Sequence, residues 1–281
     1  MVNDGQGAAP RDGTNGTASG PRLSAAGARG PEAEADRQER ELELAPGVTM
    51  AFVHVPAGTF LMGAAADDEL AFDDEKPQHE VYLDAFWIGR EPVTVRQFEA
   101  FVAATGHDAG LRWRRAAVGK PDHPVVRVRW YDAVVFCAWA CGVTGQTVML
   151  PTEAQWEKAA RGTDGRRYPW GNEAPDESRC NFNRNVGGTT PVGGYPAGAS
   201  PYGALDMAGN VFEWVADWYG KDYYTMSPRE DPLGAECESR RVLRGGSWNL
   251  GARNVRASYR SLARPAYRAR IVNLGFRCAL L

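Results

Sequence analysis

The spacing of apolar and polar positions changes character twice along the chain, and each change marks a boundary in its organisation. From Met50 to Gly63 apolar residues crowd into two short runs, Met50-Ala51-Phe52-Val53-His54-Val55 and Thr59-Phe60-Leu61-Met62, separated by Pro56-Ala57-Gly58. That pattern predicts two short strands divided by a turn. A second extended stretch, His79 to Ile88, alternates Val81, Leu83 and Ala85 with more polar neighbours before the aromatic pair Phe86-Trp87. Three helices follow. Thr94 can cap the run Val95 to Ala104, which places Phe98, Phe101 and Val102 on one face before Gly106 ends it. Asp132 opens a second helix carrying Val135, Phe136, Trp139 and Ala140, closed by Gly142. Thr152 and Gln155 form a capping box for the third, whose apolar stripe is Trp156, Ala159 and Ala160 and whose terminator is Gly162.

Beyond Gly162 helical spacing ceases, and Gly, Pro, Asn and Asp punctuate the chain every few residues. This half is nevertheless rich in Trp and Tyr, so it is expected to pack as ordered loops and short strands. At the other end, residues 1 to about 40 contain no Phe, Tyr, Trp or Ile and are crowded with Gly, Ala, Pro and charge. They cannot bury enough surface to offset ordering entropy, and the acidic run Pro31 to Leu44 reads as a solvated linker. The expected organisation is a disordered tail over 1–45 and one folded domain over 46–281.

Composition narrows the function classes. A net charge of -3 over 281 residues gives no overall pull toward nucleic acid or membrane, so any such attraction must be local. No run reaches the ~18 apolar residues of a membrane span, and no secretory signal is visible, so a cytoplasmic protein without a membrane partner is expected. Five cysteines, Cys137, Cys141, Cys180, Cys237 and Cys278, form no CxxC pair, and their odd number argues for buried free thiols rather than a disulfide framework.

Several phrases are too specific for propensity alone: Leu150-Pro151-Thr152-Glu153-Ala154-Gln155-Trp156-Glu157, Tyr168-Pro169-Trp170-Gly171-Asn172, Asp206-Met207-Ala208-Gly209-Asn210-Val211-Phe212-Glu213-Trp214, Arg244-Gly245-Gly246-Ser247-Trp248 and Asn273-Leu274-Gly275-Phe276-Arg277. In this order, over about residues 49 to 281, they resemble the sulfatase-modifying-factor family, which includes formylglycine-generating enzyme. The resemblance implies an α+β, C-type-lectin-like fold of the formylglycine-generating-enzyme subtype, with little regular secondary structure and long ordered loops. Early helices followed by a loop-rich half agree with it.

The resemblance also implies structural calcium. Asp206 and Glu213 would supply carboxylates and the carbonyls of Gly209 and Val211 would complete the site, with a second site at Asn181, the carbonyl of Phe182 and Asn185. Oxygen donors on glycine-containing turns meet the physical requirement, although the same residues serve equally as turn and cap residues with no ion. In the enzyme, two cysteines after the Arg-Gly-Gly-Ser-aromatic phrase bind copper. Here Asn249 to Tyr259 contains no cysteine, and Cys278 belongs to a closing phrase that resembles a core strand. Another branch of the family holds iron with histidines. His54, His79, His107 and His123 are scattered without ligand spacing, so neither copper nor iron is expected.

From Ser239 to Leu281 there is no Asp or Glu, while ten arginines fall there. Two readings stand: a site for anionic partners, nucleic acid included, or a frame in which Arg244, Arg256, Arg260, Arg268 and Arg277 brace loops by pairing with acids from the first half. The same segment resembles the variable region of retroelement-diversified proteins, in which adenine mutation of asparagine codons excludes Lys, Glu, Gln, Met and Trp. None of those five occurs between Asn249 and Asn273. The expected binding residues on this face, about 249–273, are Leu250, Tyr259, Ser261, Leu262, Tyr267, Arg270 and Ile271, displayed to a protein or small-molecule target. The function expected is therefore noncatalytic binding. The alternative is an oxidase-like or accessory enzyme of the same family with an active site not identifiable from these residues.

Overall fold

The structure, a computed structural model, describes residues 39–266 and 272–281. The folded chain begins earlier than its composition suggested. Strand β1, Glu39–Ala45, lies inside the stretch read as linker and pairs antiparallel with β2, Val48–Val55, through a Pro46-Gly47 turn. Glu39, Glu41 and Glu43 alternate with Arg40, Leu42 and Leu44. The acids dominate the average composition, but the period of two puts Leu44 in the core at 4% exposure.

The predicted strands either side of Pro56 form, but not as partners. β2 joins a five-stranded sheet in the order β1-β2-β5-β11-β6, where β5 is Phe86–Gly89, β6 is Val148–Met149 and β11 is Ala279–Leu280. β3, Gly58–Met62, instead pairs with β4, His79–Leu83. Thus the extended stretch 79–88 divides between two sheets. A third sheet, in the order β10-β7-β8-β9, is built from β7 (Phe212–Trp218), β8 (Arg241–Arg244), β9 (Ser261–Ala263) and β10 (Leu274–Phe276).

Helix α1, Val95–Thr105, has the Thr94 capping box and ends at Gly106 in the left-handed region. Helix α2, Leu111–Ala117, has no side-chain cap to mark it in the sequence; its Trp113 is buried edge-on against Phe98 at 5.0 Å. Helix α3 runs Trp130–Thr144, starting before Asp132 and passing through Gly142. Asp132 is its third residue and accepts the Arg129 N–H, and the left-handed Gly145 closes the helix. Helix α4, Glu153–Arg161, is capped by Thr152 and Gln155 as the sequence indicates, yet every one of its residues is buried.

One core cluster gathers Phe98, Phe101, Trp113, Phe136, Trp214 and Phe276, and a second gathers Phe60, Phe86, Ile88, Trp156 and Met207. Between α4 and β7 the segment 162–211 holds no α-helix or strand, and turns and loop-to-loop hydrogen bonds order it. Gly209 shows how tightly. At φ 80° it lies so close to residue 181 that a Cβ would collide with the Asn181 carbonyl.

Candidate functional site

The acid-free C-terminal segment is first a frame of buried charge. Arg244 donates to Glu157 and Glu153, Arg256 to Glu75, Arg260 to Glu153 and Arg277 to Glu213, with all four arginines at 3% exposure or less. Bracing is thus what these four side chains do, although only Glu75 lies in the first half of the chain. Arg268 falls outside the described residues. Burial pushes the Glu157 carboxyl up, but Arg244, Arg161 and the Gly63 N–H outweigh it and hold it below the ordinary range. Asp217 has no such pair among the described residues. Burial, then repulsion from Glu153, raise it to about 8 against its hydrogen bond from the Glu153 N–H.

On this frame sits an open cavity of about 370 Å³ that Tyr259, Ser261 and Leu262 line together with Phe72, Asp74, Tyr219 and Lys221. Arg260 holds its parts in place. The guanidinium donates to Glu153 below, reaches the Asp74 carbonyl at 2.8 Å, and lies over the Tyr219 ring at 5.0 Å. Tyr219 in turn donates its hydroxyl to Asp74 at 2.7 Å. Phe72, Asp74, Tyr219 and Lys221 come from two loops remote in sequence, and no local motif marks them. The candidate binding residues do not all meet here. Leu250 is half-buried against the core instead, and Tyr267, Arg270 and Ile271 lie outside the described residues. Tyr259 is also only half-exposed, its ring 5.7 Å from Phe72 and 6.3 Å from Phe212.

The residues implied for calcium divide. Asp206 is buried, accepts one short hydrogen bond from Gly193 N–H at 2.7 Å, and is raised to about 6 by that burial. The buried Asn181 Oδ1 has no partner among the described residues, and Asp206 and Asn181 are both tied to Asn210. Such under-coordinated oxygens fit a hard cation. Glu213 does not: Arg277 occupies both its carboxylate oxygens, at 2.6 and 2.7 Å, and the Trp156 indole adds a third donor. Gly209 and Val211 are buried, Val211 at 0%. At the second implied site the Phe182 carbonyl already accepts the Asn185 N–H, and Asn185 is exposed.

The resemblance implies copper-binding thiols shortly after Trp248. The segment 249–259 carries no thiol, while Cys278 is buried with its sulfur 3.7 Å from that of Cys137. All five cysteines are free, with Cys137, Cys180 and Cys278 buried, Cys141 half-buried and Cys237 exposed. Of the histidines, His107 hydrogen-bonds Asp132, His123 meets Thr189, and His79 lies against the Pro77 carbonyl. No helix among the described residues is long and apolar enough to cross a membrane.

Small sheets, one short buried helix and long braced loops define an α+β, C-type-lectin-like domain of the formylglycine-generating-enzyme type. The chain belongs to the sulfatase-modifying factor family, matching the sulfatase-modifying factor enzyme 1-like domain over residues 38–280. It is 37% identical to the formylglycine-generating enzyme of Streptomyces coelicolor, covering 83% of this chain and 90% of that protein. Among solved structures it is similar to PvdO from Pseudomonas aeruginosa, with TM-score 0.74 and 27% identity over 86% of this chain and 97% of the other. It is also similar to Treponema denticola variable protein 1, with TM-score 0.71 and 26% identity over 86% of this chain and 98% of the other.

Proposed function

We propose that this protein binds a target through its C-terminal face and performs no oxidation of its own. The observation that carries the reading is the cavity beside Tyr259, Ser261 and Leu262, whose accessible side chains stand on a floor of buried ion pairs. At Ser261 and Leu262 a surface of this kind accepts new side chains without loss of the scaffold, since the pairs beneath supply the rigidity. The likeness to a variable protein and the absence of Lys, Glu, Gln, Met and Trp from 249–273 support diversification of this face by a retroelement. The oxidase reading rests on identity to formylglycine-generating enzyme, against which stands the cysteine-free segment 249–259.

Two measurements test the proposal. A sulfatase-type cysteine peptide incubated with the protein, copper and oxygen is expected to stay unmodified by mass, and product above the protein-free control refutes the noncatalytic part. A peptide display selection against the wild type, counter-selected on a Ser261→Ala, Leu262→Ala variant, is expected to yield binders that need those two side chains. Binders indifferent to the exchange would move recognition away from this face.

A further inference from the structure

A second and larger cavity, about 570 Å³, shares no described lining residue with the one beside Tyr259, although Val272 of the segment 249–273 reaches it. Its described walls come from five segments: α2, the stretch Lys120–Arg127, the loop Gly187–Thr189, Trp248 and Val272. Arg112, Arg115, Lys120 and Arg127 line it, and no acidic residue does among the described residues. This is a local inversion, because the whole chain carries a net charge of -3.

These cations are not used by the fold in the way the buried arginines are. Arg244, Arg256, Arg260 and Arg277 each contact a carboxylate, whereas Arg115, Lys120 and Arg127 form no ion pair with a described carboxylate. Arg115 is exposed, and Lys120 and Arg127 are partly so. Arg127 adds an independent sign. Its φ of 63° lies in the left-handed region, which disfavours a side chain with a Cβ, yet an arginine occupies it between the buried Val126 and Val128. Like charges gathered around a concavity repel one another, and an anion seated among them removes that repulsion.

We propose that this cavity is a binding site for a small organic polyanion, carrying phosphate or several carboxylates. Arg115 and Arg127 present planar forks that match either oxyanion, and Lys120 adds a point charge. The volume lies within the range of small-molecule sites, and Trp248 with Ala116, Val126 and Val272 supplies apolar wall for the remainder of such a ligand.

Titration calorimetry on the full chain at low salt tests this with pyrophosphate, citrate and adenosine monophosphate, and with adenosine as the uncharged comparison. At least one of the three anions is expected to bind in the micromolar to low millimolar range and to weaken several-fold between 50 and 200 mM salt, while adenosine does not bind. Arg127→Gly removes the guanidinium but suits the backbone, so that variant folds and is expected to lose affinity ~10-fold. Arg115→Ala with Lys120→Ala does the same from the surface, whereas Arg114→Ala, on the same helix but outside the lining, leaves affinity unchanged. The proposal is overturned if none of the three anions binds more tightly than ~10 mM, if adenosine binds as well as its monophosphate, or if the lining variants behave like Arg114→Ala. A single-stranded oligonucleotide binding far more tightly than pyrophosphate would replace the small ligand with a nucleic acid.

Discussion

Replacing Arg256 by alanine tests whether buried ion pairs hold the C-terminal face in place. Arg256 is fully buried and donates twice to Glu75, each contact at 2.6 Å, as well as to the Arg253 carbonyl at 2.8 Å and the Ser258 hydroxyl at 3.0 Å. Its loss leaves Glu75, itself at 0% exposure, with the Ser258 hydroxyl at 2.8 Å and the Phe72 N–H at 3.1 Å as donors. Neither carries a full charge. Truncating one member of a buried pair typically costs ~3–5 kcal/mol, mostly as the penalty on the charge left behind. The same lesion frees the turn 73–75, whose neighbours Phe72 and Asp74 wall the cavity beside Tyr259. Denaturant unfolding should therefore show a lower midpoint with little change in slope. The double variant Glu75→Leu, Arg256→Met, which removes both charges, should recover ~2 kcal/mol or more. A loss below ~1 kcal/mol for Arg256→Ala, or a double variant no better than the single, would refute the reasoning.

Three further outcomes are expected. Tyr259→Ala should cost ~1–3 kcal/mol by thermal or chemical unfolding, because its ring packs between Phe72 and Phe212, whereas Ser261→Ala should stay within ~0.5 kcal/mol. Excess calcium should raise the unfolding temperature of the wild type and leave Asp206→Ala unchanged, while Glu213→Gln lowers stability with or without the ion because it breaks the pair with Arg277. An Asp206→Ala variant that keeps the full calcium response would remove that residue as a ligand. Asp217 is raised to about 8 and so takes up a proton on folding; its contribution to stability falls as pH rises from the ordinary carboxylate range to about 8, and Asp217→Asn should flatten the measured dependence between pH 5 and 8.

What could be read from the sequence divides along the range of the interactions. The helices with side-chain caps, α1 and α4, were legible from Thr94-Gln97 and Thr152-Gln155, because a capping box is made within four residues. Helix α2 was not, since Gly110 gives no side-chain cap and its docking depends on Trp113 reaching Phe98. Strand β1 was lost to averaging, as acids in alternation with Leu42 and Leu44 look like a linker until a partner strand is present. Tyr259, Ser261 and Leu262, which line one cavity, were grouped in the sequence through family likeness. Their neighbours Phe72, Asp74, Tyr219 and Lys221 were not, because loops more than 35 residues apart in sequence meet only through Arg260 and the fold. Glu213 meets the same limit: a carboxylate on a glycine turn suggests a cation, and only the fold reveals that the cation is the Arg277 guanidinium.

The place of β11 has a consequence for synthesis. Ala279 and Leu280 occupy an interior position in the five-stranded sheet, between β5 and β6, and just upstream β10 pairs in parallel with β7. The N-terminal hairpin therefore waits, with one edge of β5 unpaired, until residue 280 has left the ribosome, so the sheet closes only after translation of the whole domain. Residues 249–272 are made just before these closing strands. Any insertion or deletion there that shifts the reading frame also erases β10 and β11, and the unpaired sheets are exposed to cellular proteolysis. Folding thus acts as a filter on changes in this segment: substitutions that leave β10 and β11 intact pass to the mature protein, and frame-shifted versions are discarded.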